Sequence, residues 1–509
     1  MASSSSSSLF LCLSLGSLLL FHVCFAQIEQ ARLPGGSRQQ HKQQRWQSQC
    51  RLDRLDALQP SRRIESEAGV SEYWDLENEE QLQCAGVSAV RHTIQRRGLL
   101  LPSFTNGPVV AFVLQGTYTV TYLYLYTGIH GAVIPGCPET FERGQSSRQP
   151  ISGSAQEGYS SDEKHQKVRE LREGDIVAAP AGVAQWIFNN GDSPLVLVYF
   201  VDVGNQANQL DQSARRFHLG GNPQRDQRSE EQVRSQSQGR RQRRSEQRQK
   251  PNGNIFSGFD TRLLAESFNI DTELANRLQN KEDQRERIVR VRDEFDVITP
   301  ARIKEEERRQ YGGYEESYGE YYNGVEETFC TLRLRHNIDR PSQADIFNPR
   351  GGRVTTVNSF NLPILRFLQL TAERGVLYRN AQLAPHFNSK SHSVFYVTRG
   401  SGRVQVADDC GRNIFDGDLQ EGQLFVVPQN HAVLKQASNR GFEWIAVKTV
   451  DSAKRSPLAG RISVIRGLPE DVLANAFQMS REQARRLKYN RDEVTVFSTS
   501  QQQERGGGD

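Results

Sequence analysis

The strongest constraint on this chain is that it repeats itself. Glu173-Gly174, one further residue, four apolar residues and Pro180, with Ala184 beyond, return 248 positions later as Glu421-Gly422, the apolar run 424–427, Pro428 and Ala432. Leu264, Ala265, Phe268, Ala275, Arg277 and Leu278 return 209 positions later as Leu473, Ala474, Phe477, Ala484, Arg486 and Leu487. Pro102-x-Phe104 returns as Pro385-x-Phe387. Three matches in one order mean a duplicated unit. The unequal shifts place the length differences in loops.

Each copy reads as short strands followed by a helical piece. In the first half the apolar runs are 109–114, 129–134, 176–179, 186–188 and 195–203. In the second they are Leu332 with Leu334, then 354–357, 367–370, 394–397, 404–406, 424–427 and 444–447. Short runs separated by turn residues predict a β-sandwich or barrel. Residues 259–280 predict two short helices, with Leu264 and Phe268 on one face and Leu274 and Leu278 on another. Residues 468–489 predict more helix, with Pro469 in its first turn and a capping box of Ser480 and Gln483.

Polar tracts separate these blocks. Residues 27–49, 220–250 and 281–323 are rich in Gln, Arg, Glu and Ser and hold too few apolar side chains for a core. The Arg-rich stretch 239–244 is interleaved with Gln and has Glu nearby, so it predicts a solvated loop. A net charge of +4 over 509 residues gives no large basic footprint for a nucleic acid. Met is scarce, at 2 residues, while nitrogen-bearing Gln and Arg are plentiful. That suits a nitrogen reserve, and equally any polar, partly disordered protein. The apolar run 9–26, with small residues Cys24 and Ala26, predicts a secretory signal cut between Ala26 and Gln27. No other stretch is long and apolar enough to span a bilayer, so the mature chain is expected to be soluble.

Between the halves lies Asn323-Gly324, in a tract too polar to be buried. Gly324 leaves the backbone open to a protease. From Gly324 onward the chain carries 25 Lys and Arg against 19 Asp and Glu; the remainder carries 39 against 41. A cut there separates a basic from a mildly acidic chain. Beyond the signal the cysteines are Cys50, Cys84, Cys137, Cys330 and Cys410. Five cysteines allow at most two bridges, and their spacing leaves every pairing open.

The motifs resemble one family. Arg63-Ile64-Glu65-Ser66-Glu67, Gln83-Cys84-Ala85-Gly86-Val87, Pro135-Gly136-Cys137-Pro138-Glu139-Thr140-Phe141, Asn323-Gly324-x-Glu326-Glu327-Thr328-x-Cys330 and Ser456-Pro457-Leu458-Ala459-Gly460-Arg461 are similar to those of legumin-type (11S) seed storage globulins, members of the bicupin group. The resemblance covers about residues 50–499. It implies a mainly β fold of two cupin (jelly-roll) barrels, each with a small helical extension, and long disordered loops. The first barrel would span about 50–204, its loop about 205–252, its helices about 259–280 and an acidic variable loop 281–323. The second barrel would span about 330–465 and its helices about 466–490, with a tail at 500–509. The resemblance also implies a precursor sent to the protein storage vacuole of the seed and cut after Asn323 by an asparaginyl endopeptidase. It implies bridges Cys50–Cys84 and Cys137–Cys330, a free thiol at Cys410, trimers of precursors, hexamers after processing, and a food allergen.

Many cupins are metalloenzymes whose barrel supplies His-x-His, a Glu and a distant His. The matching positions of the first barrel, near Ser103 and Val183, hold no His. In the second, His386 matches the first His, Asn388 replaces the second, His392 stands where Glu is expected and His431 matches the last. Three imidazoles suit zinc or copper, but no carboxylate is left to move a proton. The expectation is therefore a non-enzymatic reservoir with no cofactor. The rival is a secreted bicupin metalloenzyme or small-ligand binder using His386, His392 and His431. One stretch departs from the family pattern: the Tyr-rich insert 117–127, read here as a gene-model error rather than a hairpin.

Overall fold

A computed structural model describes residues 50, 52–115, 128–139, 141–142, 164–166, 168–223, 253–295, 297 and 330–498. It divides into an amino-terminal unit, Met1–Arg51, of which Cys50 alone is described, and a unit Leu52–Asp509 that carries the fold. The signal, the insert 117–127, the Asn323-Gly324 junction and the tail 500–509 lie outside the described residues.

In the first half, Arg62–Ser66, Gly69–Trp74, Val87–Ile94, Leu195–Asp202, Val109–Gln115 and Asp175–Ala179 lie side by side in that order as an antiparallel sheet. Its seventh strand, Arg335–Asn337, comes from the second half. The second sheet orders Arg216–His218, Gly98–Thr105, Ala184–Phe188, Gly128–Val133 and Val168–Leu171, and Ile288–Arg290 also pairs with Gly98–Thr105. Asp175–Ala179 is buried along its whole length. It packs on both faces, which is why its sequence is an unbroken apolar run rather than an alternation.

The second half repeats this plan. Ile346–Asn348, Gly352–Val357, Thr371–Leu377, Ala432–Lys448, Gln382–Asn388 and Arg455–Pro457 follow one another, with Ser393–Ala407 pairing Ala432–Lys448, Leu424–Val427 and Asn413–Gln420. Ser393–Ala407 and Ala432–Lys448 are long enough to serve both faces of the barrel. Both turn at glycines, Gly400 at φ 73° and Gly441 at φ 83°. A Cβ on Gly400 would strike the Gly441 carbonyl, so the close approach of the two strands requires glycine there. One core joins the halves: Val90, Phe112, Val198 and Phe200 belong to the same cluster as Val357, Leu365, Val394, Leu424 and Val447.

Several boundaries differ from expectation. The run 367–370 is not a strand. Ile364–Leu368 is helical, with Leu362, Ile364, Leu365 and Leu368 buried at helical spacing and Phe367 exposed, and the strand starts at Thr371. Two polar tracts expected as loops each contain a strand: Arg216–His218 within 205–252 and Ile288–Arg290 within 281–323. Ile288 and Val289 are buried, and two apolar residues in a charged run are too few to stand out in a sequence window. The helices Thr261–Phe268 and Thr272–Gln279 bury Leu264, Ala265 and Ala275 and leave Phe268 and Leu274 exposed. The stretch 468–489 splits into Glu470–Ala476 and Arg481–Tyr489, because Gln478 sits at φ 51°. Pro469 is the cap before the first of these helices, and Ser480 with Gln483 forms the reciprocal capping box of the second.

Candidate functional site

A cut between the halves leaves the second chain held by whatever lies just beyond it. Cys330 is bonded to Cys137, with sulfurs 2.01 Å and Cα atoms 5.6 Å apart across 193 residues of sequence. Leu332 and Leu334 then pack on the core from partly buried positions. Arg335–Asn337 adds to the first-half sheet in register with Asp175, Ile176 and Val177. Two flanking backbone bonds extend the pairing: Ala178 N–H to the Leu334 carbonyl and Ile338 N–H to the Gly174 carbonyl, both 2.8 Å. The buried Asp175 carboxylate is the anchor. It accepts from Arg335 Nη1 at 2.9 Å, Asn337 Nδ2 at 3.0 Å and the Arg172 backbone at 3.1 Å, so its charge is met on both oxygens.

The exchange is reciprocal. Leu58 of the first half bridges Leu424 of the second, each N–H donating to the other's carbonyl. Leu55 N–H donates to the Ile414 carbonyl, and its side chain lies in the second barrel's core. Trp74 Nε1 donates to the Leu58 carbonyl at 3.1 Å. Leu424 is the repeat-equivalent of Ile176, so each half pairs with the same position of the other, by the strand Arg335–Asn337 in one direction and by the single bridge at Leu58 in the other. Leu55, Leu58 and Ile338 are almost wholly buried, each contributing about 2 kcal/mol of transfer free energy. Sequence reading found the parts but not the exchange, because pairing between distant segments leaves no local pattern.

Of the expected cysteines, Cys84 sits half-buried at the end of helix Glu80–Ala85, and Cys410 is a free, exposed thiol. Asn323, Gly324, Ala26 and Gln27 lie outside the described residues.

The three histidines of the rival reading do not form one ligand set. His386 is buried and its Nδ1 bonds the Ala384 carbonyl at 2.8 Å. Burial, then the charge of Arg455, holds its pKa well below the usual imidazole value. His392 Nδ1 accepts from the Gln429 backbone, and burial together with His431 lowers it to about 4. His431 is more open and bonds the Gln429 carbonyl. Among the described residues, no group of three ligand atoms close enough for one ion includes His386 or His431.

The interior beside His386 is occupied by cations that sequence reading missed. Glu373 is buried and binds Lys448 Nζ at 2.7 Å, Arg455 Nη2 at 2.6 Å and Trp444 Nε1 at 3.1 Å. Lys435 Nζ lies 3.7 Å from the centre of the Phe395 ring and 4.2 Å from that of Trp444, and burial lowers its pKa to about 7. Three cationic side chains around one carboxylate repel a divalent ion. The signal was present: Lys435 and Lys448 interrupt otherwise apolar strand positions.

Comparison with known proteins places this geometry. The cupin family model matches residues 55–225 and 336–485. The chain is 49% identical over 493 residues to an 11S globulin seed storage protein of Anacardium occidentale, covering 96% of this chain and 98% of that one. Among solved structures, a recombinant pro-11S globulin of pumpkin is 45% identical, with a TM-score of 0.71 and coverage of 89% and 100%. The coconut allergen cocosin is 42% identical, also with a TM-score of 0.71, over 88% of this chain and 100% of that one.

Proposed function

This chain belongs to the 11S seed storage globulins of the cupin family, and from that premise we propose that it is a nitrogen reservoir processed without being taken apart. It is a storage globulin rather than an enzyme. The precursor loses its signal between Ala26 and Gln27, enters the protein storage vacuole and is cut after Asn323 by an asparaginyl endopeptidase. Cys137–Cys330 then joins an acidic chain to a basic one, Cys50 pairs with Cys84, and Cys410 stays free. The carrying observation is the reciprocal pairing of the halves, by a strand and by a bridge, with the disulfide a few residues past the junction. It holds the second half to the first from Cys330 onward, so a cut at the junction would not by itself release it.

Assembly is supported by the helical extensions. Phe268 and its repeat-equivalent Phe477 are both exposed, as are Leu263, Leu274, Val472 and Leu487, while Leu264 and Leu473 are buried in both copies. One chain therefore carries two related apolar faces, the requirement for a head-to-tail contact that closes into a ring. Precursors form trimers on this reading, and processed trimers pair as hexamers. The allergen names of relatives extend to this chain as a food allergen.

The test is electrophoresis of the native protein with and without reductant, followed by amino-terminal sequencing of the smaller band. A single band that splits on reduction, with a chain starting at Gly324, is the expected result. An intact chain under both conditions refutes the processing scheme.

A further inference from the structure

The interior of the first barrel gathers basic side chains, Arg287 and His92 buried and Arg216 and His218 part-exposed, and among the described residues neither arginine has an ion-pair partner. Arg287 Nη1 donates to the Tyr73 hydroxyl, and its guanidinium lies 5.2 Å from the ring centre. Arg216 Nη1 donates to Ser103 Oγ at 3.2 Å and lies 5.5 Å from the Tyr199 ring. His92, wholly buried, bonds Ser71 Oγ through Nδ1 at 2.8 Å and meets Tyr199 edge-on. His218 completes the group from the strand that carries Arg216. Two buried atoms have no hydrogen-bond partner, Arg287 Nε and His92 Nε2. With Nδ1 accepting from Ser71, Nε2 of His92 is a donor like the guanidinium.

Among the described residues, no carboxylate acts on His92, His218 or Arg216. Burial first, and then the charges of Arg216, Arg287 and His218, hold the His92 imidazole well below its usual pKa. His218 feels only Arg287 and Arg216, and Arg216 feels Tyr73, Tyr199 and Arg287. Among the described residues, neither arginine forms an ion pair.

The second barrel shows what is missing. Phe104 and Phe387 are repeat-equivalent; Thr105 pairs with Arg216 and Asn388 with Arg455, so the two arginines hold matching positions. From Ile176 and Leu424, strand pairing runs through Phe112 and Tyr396 to Val198 and Ile445, and on to Arg91 and Arg374. The preceding residues are Val90 and Glu373. Glu373 is the carboxylate that binds Arg455. In the first barrel its place is taken by Val90, which stands between Tyr73 and Tyr199 on neighbouring strands.

We infer that the first barrel binds a small oxyanion, a carboxylate or phosphate, held by Arg216, Arg287 and His92 where the second barrel uses its own Glu373. Two guanidiniums offer paired N–H donors to such a group. The rings of Tyr199 and Tyr73 lie beside the Arg216 and Arg287 guanidiniums, and Arg216 and His218 are part-exposed, which gives a small anion a way in. This goes beyond the storage reading and stands independently of it.

Titration calorimetry of the full chain with sodium phosphate and with sodium acetate, at ionic strength fixed by sodium chloride, tests it. Saturable binding of one anion per chain, with a melting temperature that rises with anion concentration, is expected; the tighter of the two probes identifies phosphate or carboxylate as the natural chemistry. Val90→Glu supplies the carboxylate in place and should abolish both effects. Arg287→Gln should weaken binding by about tenfold or more, and it keeps the test alive should Val90→Glu not fold. Absence of saturable binding in the wild-type chain overturns the inference, and so does binding that both variants leave unchanged.

Discussion

Replacing Glu373 by Gln tests whether the second barrel depends on its interior charge network. The side chain is 3% exposed, and its partners Lys448 and Arg455 are 4% and 9% exposed. Burial alone would raise its pKa, but Arg455, Lys448 and Lys435 draw it well below the usual carboxylate range. Removing one member of a buried pair costs about 3–5 kcal/mol, because the remaining charge stays buried without compensation. Here one carboxylate serves two cations, so the upper end, about 5 kcal/mol, is expected. For a barrel of this size that lowers the melting temperature by on the order of 10 °C. Urea unfolding followed by tryptophan fluorescence reads the loss, since Trp444 donates to Glu373. The stability from Glu373 is complete above its unfolded pKa of 4.5 and is lost as pH falls through its lower folded value. The acid limb below about pH 4 should therefore shrink in Glu373→Gln. Adding Lys448→Met should recover part of the loss. A cost below about 1 kcal/mol in Glu373→Gln, with the fold intact, refutes the account.

Two further outcomes follow from buried groups and from the exchange. Burial raises the Asp202 carboxyl to about 7 from 3.8, against opposing bonds from Asn205 and Gly204. The folded state thus holds the proton that the unfolded state releases, and this stability is full below pH 3.8 and lost as pH rises through 7. Asp202→Asn should flatten that falling limb and gain on the order of 2–4 kcal/mol at pH 8 by chemical denaturation; an unchanged pH profile would contradict it. In protein cut after Asn323, reducing Cys137–Cys330 in native buffer should leave the two chains together on gel filtration, with separation only in urea. Release of the basic chain by reductant alone would show the exchanged strands to be too weak to hold it.

What the sequence displayed depended on how local the physics was. The run 176–179 was legible because a strand buried on both faces has no polar positions to break it. Ser480 and Gln483 were legible because a capping box is complete within four residues. The run 367–370 misled because four apolar residues fit a strand or a helix turn equally, and burial of Leu362, Ile364, Leu365 and Leu368 decides for the helix. Ile288–Arg290 was hidden because its partner, Gly98–Thr105, is nearly two hundred residues away. The interior of the barrels was least legible. His386 was visible as a residue type at a spacing, but the character of its surroundings is set by Glu373, Lys448 and Arg455 meeting across separate strands.

The duplication ties these features together. A single unit with an exposed apolar helix face has one such face; two fused units have two related ones, Phe268 in the first and Phe477 in the second. Fusion also lets each unit pair with the other, through the bridge of Leu58 to Leu424 and the strand Arg335–Asn337 along Asp175–Val177. Among the described residues, the bonds that hold the halves together do not depend on the covalent link between them. On the proposed processing scheme, a cut after Asn323 would change the covalent connectivity and leave in place the contacts between the halves among the described residues. That would let the chain be cut and still resist unfolding until further cuts removed the paired segments themselves.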